Sequence, residues 1–334
     1  MGLIVLKVLG WAVVGVVVIA GAGFLALRRG DIPYPTLEAR YATPASRFID
    51  LPGGLHVHYR DEGNPNGPVL LLVHGYSASA ADWDAWASRL GDAYRIIAID
   101  LPGHGLTRTP KGYKASTDGF VETVDALATR LSLPKFVIAG NSMGGGVAWN
   151  YALAHPDRVS GLVLVDSVGW PPRPRSAAED KKGALIFKLL SNPVSRQIIK
   201  NLDNRSFAKQ GLESAFIDKS LVTPALVDRY TDLSRAPGHR DILLEIEQAP
   251  HNVATPERLA AIHFPTLIMF GQEDHLIPAE NGKTFADAIP GSTLILYPGV
   301  GHVPMEQIPD KSAADLKAWL ASKGLGASTV KPAA

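Results

Sequence analysis

Nearly continuous apolar runs recur along this 334-residue chain at Val69–Val73, Arg95–Ile99, Phe136–Ala139, Leu162–Val165 and Leu267–Phe270. A strand with one wet face alternates apolar and polar residues. A strand that is apolar throughout has to be covered on both faces. Helical stretches near Asp82–Leu90, Thr117–Leu131 and Gly145–His155 lie between the runs and supply the covers. The pattern predicts an α/β chain with a mostly parallel, doubly wound sheet. Two short strands, Arg47–Asp50 and Leu55–Arg60, are expected ahead of it, around the turn Pro52-Gly53-Gly54. A strand at Thr293–Tyr297 and a helix at Asp310–Ser322 are expected to close it.

The alternation breaks once, between Gly169 and Phe264. That stretch opens with Trp170-Pro171-Pro172-Arg173-Pro174 and holds helix-like pieces at Leu185–Leu190, Ala225–Leu233 and Asp241–Ala249, with no buried-type strand. The expected division is therefore a core at 46–168, a helical cap at 169–264, the rest of the core at 265–322 and a flexible tail at 323–334.

From Val8 to Leu27 runs an uncharged, mostly apolar stretch of ~20 residues, enough for a helix to cross a bilayer. Lys7 precedes it and Arg28-Arg29 close it, so residues 1–30 are expected to be a single-pass transmembrane anchor. A cleaved signal peptide is the alternative, because Ala20-Gly21-Ala22 resembles a processing site. The apolar stretch, however, continues past that site to Arg28. Two arginines after the span against one lysine before it place the remainder on the cytoplasmic side; cleavage would export it instead. The proline-punctuated residues 31–45 read as a tether.

Charge is nearly balanced at +1, with no long block of either sign, so a nucleic-acid partner is not expected. The absence of cysteine removes disulfides, thiolate metal sites and cysteine nucleophiles together. The ten histidines are scattered without metal-ligand spacing, and neither a metal nor a cofactor is expected.

Chemistry concentrates at Gly140-Asn141-Ser142-Met143-Gly144, directly after an apolar run and before a small-residue helix. A strand turning sharply into a helix exposes the serine hydroxyl at the sheet edge, where ligands of such sheets bind. A hydroxyl needs a base, and the base needs an orienting acid. His302, in the loop Pro298-Gly299-Val300-Gly301-His302 after the last strand, is the best base. Asp274, in Gly271-Gln272-Glu273-Asp274, fits the acid, with Asp166 at the end of Leu162–Val165 as competitor and Glu273 behind both. The backbone amides of Met143, at a helix N-terminus, and of Tyr76, in His74-Gly75-Tyr76, are the candidate oxyanion donors. His74 is then a support of that turn, and His56 and His58 are ordinary structural or surface residues.

Val73-His74-Gly75-Tyr76, Asp100-Leu101-Pro102-Gly103-His104-Gly105, the serine pentapeptide with Gly145, Gly271-Gln272-Glu273-Asp274 and Gly301-His302 stand in the order seen in α/β-hydrolases. The chain resembles that family over about residues 46–322. The run His74-Gly75-Tyr76-Ser77-Ala78-Ser79 through Trp83 is similar to membrane-anchored monoacylglycerol lipases and bacterial lipases. The resemblance implies Ser142 as nucleophile, His302 as base, Asp274 as acid and a cap over the pocket. The expected activity is serine-dependent hydrolysis of a small-molecule ester or lipid. Carbon–carbon bond hydrolases share the Gly-Asn-Ser-x-Gly-Gly elbow and are the enzymatic alternative. They carry a glycine-rich oxyanion loop and a tryptophan after the histidine, where this chain has Tyr76-Ser77-Ala78 and Val303. An inactive, membrane-anchored ligand-binding module is the alternative outside enzymes.

Overall fold

Each apolar run forms a strand, and the side chains along it alternate between two separate apolar layers. Leu71, Val73, Ile97, Ile99, Ile138, Leu162 and Ile268 enter one layer. Leu70, Leu72, Ile96, Ala98, Val137, Val163 and Met269 enter the other. The register keeps each layer continuous, since Leu71 faces both Ile97 and Ile138, and Ile138 faces Leu162. This arrangement explains why the strands are apolar at every position. The computed structural model describes residues 11, 14–15, 18, 21–171, 192–246 and 252–326.

The strands are β1 (Ser46–Leu51), β2 (Leu55–Gly63), β3 (Val69–Val73), β4 (Arg95–Ile99), β5 (Phe136–Asn141), β6 (Val159–Val165), β7 (Thr266–Gly271) and β8 (Thr293–Tyr297). They form one sheet in the order β1-β2-β4-β3-β5-β6-β7-β8. β2 runs antiparallel to both β1 and β4, and every other neighbouring pair is parallel. β5 runs two residues beyond its apolar run, into Gly140-Asn141, which carries the ladder to the edge of the serine turn.

From residue 32 onward, the described α-helices outside the Gly169–Phe264 insertion are α1 (Tyr34–Tyr41), α2 (Asp84–Leu90), α3 (Thr117–Arg130), α4 (Met143–Ala154), α10 (Glu280–Ala288), α11 (Pro304–Gln307) and α12 (Pro309–Ser322). Phe120, Val124 and Leu127 of α3, Val147 and Trp149 of α4 and Phe285 of α10 pack on the first layer. Trp86 and Leu90 of α2 and Leu316, Trp319 and Leu320 of α12 pack on the second. The described part of the insertion is helical, with α5 (Pro193–Lys200), α6 (Arg205–Ala215), α7 (Pro224–Ser234), α8 (His239–Ile246) and α9 (Pro256–Leu259). The expected piece Leu185–Leu190 lies outside the described residues, as do residues 247–249 and the tail from 327.

Two expectations about the N-terminal part change. Residues 31–45 are no tether, because they hold α1. Pro33 and Pro35 flank its start, where a fixed φ suits the first helical turn. Leu37 is fully buried, and Arg40 and the Tyr41 hydroxyl donate to Asp232 at 2.8 and 2.9 Å. A single buried residue is too little to register as periodicity. The transmembrane helix is not supported either: among the described residues, no helix is long and apolar enough to cross a membrane. About half of Val8–Leu27 lies outside the described residues, and those described within it, including 21–27, are helical.

Contacts divide the chain into two units, residues 1–31 with 173–206, and residues 32–172 with 207–334. In the first unit the end of the apolar segment pairs with the insertion. Arg28 bridges Leu202, the Arg29 amide donates to Asn201 O at 2.8 Å, and the Arg29 guanidinium meets Asp203 at 3.1 Å. The second unit holds the sheet and every candidate site residue.

Candidate active site

Ser142 is the single residue between β5 and α4, with φ 54° and ψ −118°, a left-handed backbone that is rare outside glycine. Strain of this kind costs on the order of 1–3 kcal/mol and persists only where its surroundings enforce it. Here the Ser142 amide donates to Val165 O at 3.0 Å, and the Ser142 carbonyl accepts from Gly146 and Val168, each at 3.1 Å. A side chain on Gly140 would strike the Gly144 backbone, and one on Gly144 would strike the end of β3. The two outer glycines of the pentapeptide are therefore needed for close backbone approach. The His74-Gly75-Tyr76 loop passes beside the serine, since a Cβ on Gly75 would lie 3.3 Å from Ser142 Cβ.

His302 and Asp274 meet as a buried pair. The His302 Nδ1–H donates to Asp274 Oδ2 at 2.7 Å, which leaves Nε2 as the acceptor nitrogen. Asp274 Oδ1 accepts from the amides of Leu276 and Ile277 at 2.7 and 3.0 Å. Glu273 does different work, as its Oε2 accepts from the Gly299 amide at 2.7 Å and so holds the histidine loop.

Asp166 also lies at the site. It directly follows β6, with φ 42°, is fully buried, and accepts from the Gly271 amide at 2.8 Å. Burial first, and then the Asp274 charge, push its carboxyl well above the usual range. One polar atom each from Asp166, Asp274 and His302 lie within 4.8 Å of one another. That donor set is of a kind a cation accepts, but the 2.7 Å contact makes Asp274 and His302 a hydrogen-bonded pair.

Tyr76 is partly exposed, and its hydroxyl donates to Leu243 O of α8 at 3.1 Å. Met143 is the first residue of α4, where amides have no acceptor within the helix. His74 acts as a support: Nδ1 donates to Gly75 O at 2.7 Å and Nε2 accepts from the Leu101 amide at 3.0 Å. Asp100 organises the Asp100–Gly105 turn by accepting from the amides of Ala80 and Leu106 and pairing with His58.

Sequence reasoning missed two groups. Asn141 Nδ2 donates to His302 O at 3.0 Å and Val165 O at 3.2 Å, tying the residue before the serine to the histidine loop. Its signal was available, as the polar residue inside the pentapeptide. The second group is a buried cluster. Arg229 of α7 lies 3.3 Å from Asp82 and 3.7 Å from Glu306 of α11, and the Tyr230 hydroxyl donates to Asp82 at 3.0 Å. Burial pushes Asp82 up; burial and the Asp82 charge push Glu306 well above the carboxylate range. Three distant segments contribute to this cluster, and although Asp82 lies within the His74–Trp83 run, nothing in that run points to Arg229 or Glu306 as its partners.

The family model described as alpha/beta hydrolase fold matches residues 68–308. The chain is 29% identical over 255 residues to a 2-hydroxy-6-oxononadienedioate/2-hydroxy-6-oxononatrienedioate hydrolase of Comamonas testosteroni, covering 74% of this chain and 84% of that protein. It is 27% identical over 274 residues to a bifunctional esterase/perhydrolase of Acinetobacter calcoaceticus, covering 76% and 92%. Among solved structures, a membrane phospholipase A is similar in fold, with a TM-score of 0.72 at 24% identity, covering 95% of this chain and 99% of that one.

Proposed function

The chain belongs to the α/β-hydrolase family, and from that premise we propose that it is a serine hydrolase of carboxylic esters working through an acyl-enzyme on Ser142. The observation that carries this reading is the buried His302–Asp274 pair, whose loop is hydrogen-bonded to Asn141, the residue next to the strained serine. In this mechanism His302 Nε2 takes the Ser142 proton as Oγ attacks the ester carbonyl. Asp274 holds the imidazole tautomer and balances the imidazolium. The amides of Tyr76 and Met143 receive the oxyanion, the latter aided by the α4 dipole. His302 then protonates the leaving alcohol, and water repeats the sequence on the acyl-enzyme. A fluorophosphonate probe tests the proposal: it should label wild-type protein at Ser142, and failure to label would remove the nucleophile.

The esterase/perhydrolase relative supports the ester reading. A carbon–carbon bond hydrolase is the second reading, favoured by the Gly140–Gly145 elbow and by the similarity to the dienedioate hydrolase. The two separate on substrate. Turnover of simple alkyl esters without turnover of a vinylogous diketone supports the first, and the reverse supports the second.

The insertion is proposed to form a cap that selects the acyl group. Tyr76, from the candidate oxyanion loop, donates its hydroxyl to the Leu243 backbone carbonyl, which sets α8 beside that loop. Leu243→Ala should move the preferred acyl length by two or more carbons across a graded ester series. An unchanged profile would assign Leu243 to packing alone.

The apolar composition of Val8–Leu27 supports an N-terminal membrane anchor that brings the enzyme to amphiphilic esters. Full-length protein should then sediment with membranes and keep its first residues on N-terminal sequencing. Soluble protein starting near Gly23 would replace the anchor with a signal peptide. Any shortened form must retain α1, because a start near Arg40 removes Leu37 and its neighbours from the folded unit.

A further inference from the structure

Asp166 is a buried ionisable group that the mechanism above leaves idle. Its Oδ1 accepts one backbone amide, from Gly271. Its Oδ2 is fully buried and receives no donor among the described residues, and the side chain that faces it for hydrogen bonding is the Asp274 carboxyl. An asparagine would serve Gly271 as well, so a structural role accounts for only half of this side chain. The charged and titratable groups around it come from two neighbouring strands. Asp274 follows β7, while Tyr297 and His302 lie at and after the end of β8.

Two carboxyls this close in a dry site cannot both ionise. Their hydrogen bonds decide which one does. Asp274 receives the His302 N–H and two backbone amides, whereas Asp166 receives one amide. Asp274 therefore holds the charge and Asp166 the proton. Polar atoms of Asp166 and His302 are within 4.8 Å, so an approach of one to two ångströms would bring them into hydrogen-bond range.

We propose that Asp166 is a reserve acid, a positioning residue that stays neutral behind Asp274 and takes over both the charge and the orientation of His302 when Asp274 is neutralised. The proposal rests on the serine-hydrolase reading. In a triad with a single acid, replacing that acid by its amide costs ~10⁴-fold in rate, the value for the serine protease example. Here Asp274→Asn relieves Asp166 of the neighbouring charge, and Asp166 ionises in its place.

The test measures kcat/KM on a soluble short-chain ester, and the rate of Ser142 labelling, against pH for three variants. Asp274→Asn should lose about 10²-fold, Asp166→Asn less than tenfold, and the double variant about 10⁴-fold. The position of the acid limb, which reports His302, separates this role from packing. It should stay near the wild-type pH in Asp274→Asn and fall by about a unit or more in the double variant, because a nearby anion raises an imidazole pKa. If the double variant fails to fold, the limb of Asp274→Asn alone decides the matter, and a limb already moved downward overturns the proposal. Equal rates for Asp274→Asn and the double variant overturn it too, as does an Asp166→Asn loss matching that of Asp274→Asn. Wild-type protein that does not label at Ser142 brings down the serine reading and this inference together. Labelling with the other outcomes brings down only the inference.

Discussion

Ser142→Ala should leave a folded protein with ester hydrolysis reduced by roughly 10⁶-fold, the scale on which a serine–histidine unit fails when either member is lost. The side chain is half-buried and makes no contribution to either apolar layer, so thermal stability should stay within about 1 kcal/mol of wild type. Relief of the left-handed backbone does not follow, since alanine at φ 54° is no more comfortable than serine. His302→Ala should be nearly as inactive, and the double variant no worse than either single one. Initial rates on purified protein, with active-site titration to exclude contaminating wild type, make the comparison. Substantial turnover by Ser142→Ala would end the proposed mechanism.

The largest expected loss of stability lies away from the serine, at Arg229. It is the cation shared by Asp82 and Glu306, and removing one partner of a buried charge group typically costs 3–5 kcal/mol. Arg229→Met should lower the unfolding free energy by about 3 kcal/mol, measured by denaturant titration; a change below about 1 kcal/mol would show that the cluster contributes little. The same cluster sets a pH dependence. Burial raises both carboxyls in the folded protein, so between the unfolded carboxylate range near pH 4 and their folded values the native state holds more protons than the unfolded chain. Stability from this source is fully present below that range and declines as pH rises through the folded values. Glu306→Gln should flatten the decline. An unchanged slope of melting temperature against pH would mean that Glu306 ionises normally.

The sheet was readable because burial on both faces leaves no polar residue to blur the runs at Val69–Val73 or Leu267–Phe270. α1 escaped notice because polar ties to residues far along the chain, such as Arg40 and Tyr41 to Asp232, hold it in place. The order of Ser142, Asp274 and His302 along the chain pointed to the site. Sequence put Asp274 ahead of Asp166 through its place in Gly271-Gln272-Glu273-Asp274 and the family resemblance, although each comes at or just after the end of a buried strand. The 2.7 Å contact with His302 distinguishes Asp274, and the positive φ of Asp166 is invisible in a string of letters. Glu273 similarly looked like a weak acid candidate, and its grip on the Gly299 amide needed coordinates to be seen.

The attachments of α7 bear on how this protein can be rebuilt. Residues 169–264 look like a cassette that could be exchanged with a relative's cap to transplant specificity. Yet Arg229 and Tyr230 are committed to Asp82 and Glu306, and two residues beyond Tyr230, Asp232 is committed to Arg40 and Tyr41. A chimera cut at the ends of the insertion would leave two buried carboxyls without their cation and α1 without its ties to Asp232, holding by those to Thr107 and Arg108. The heritable unit is the insertion together with Asp82, Glu306 and α1, three pieces of sequence that have to change hands at once.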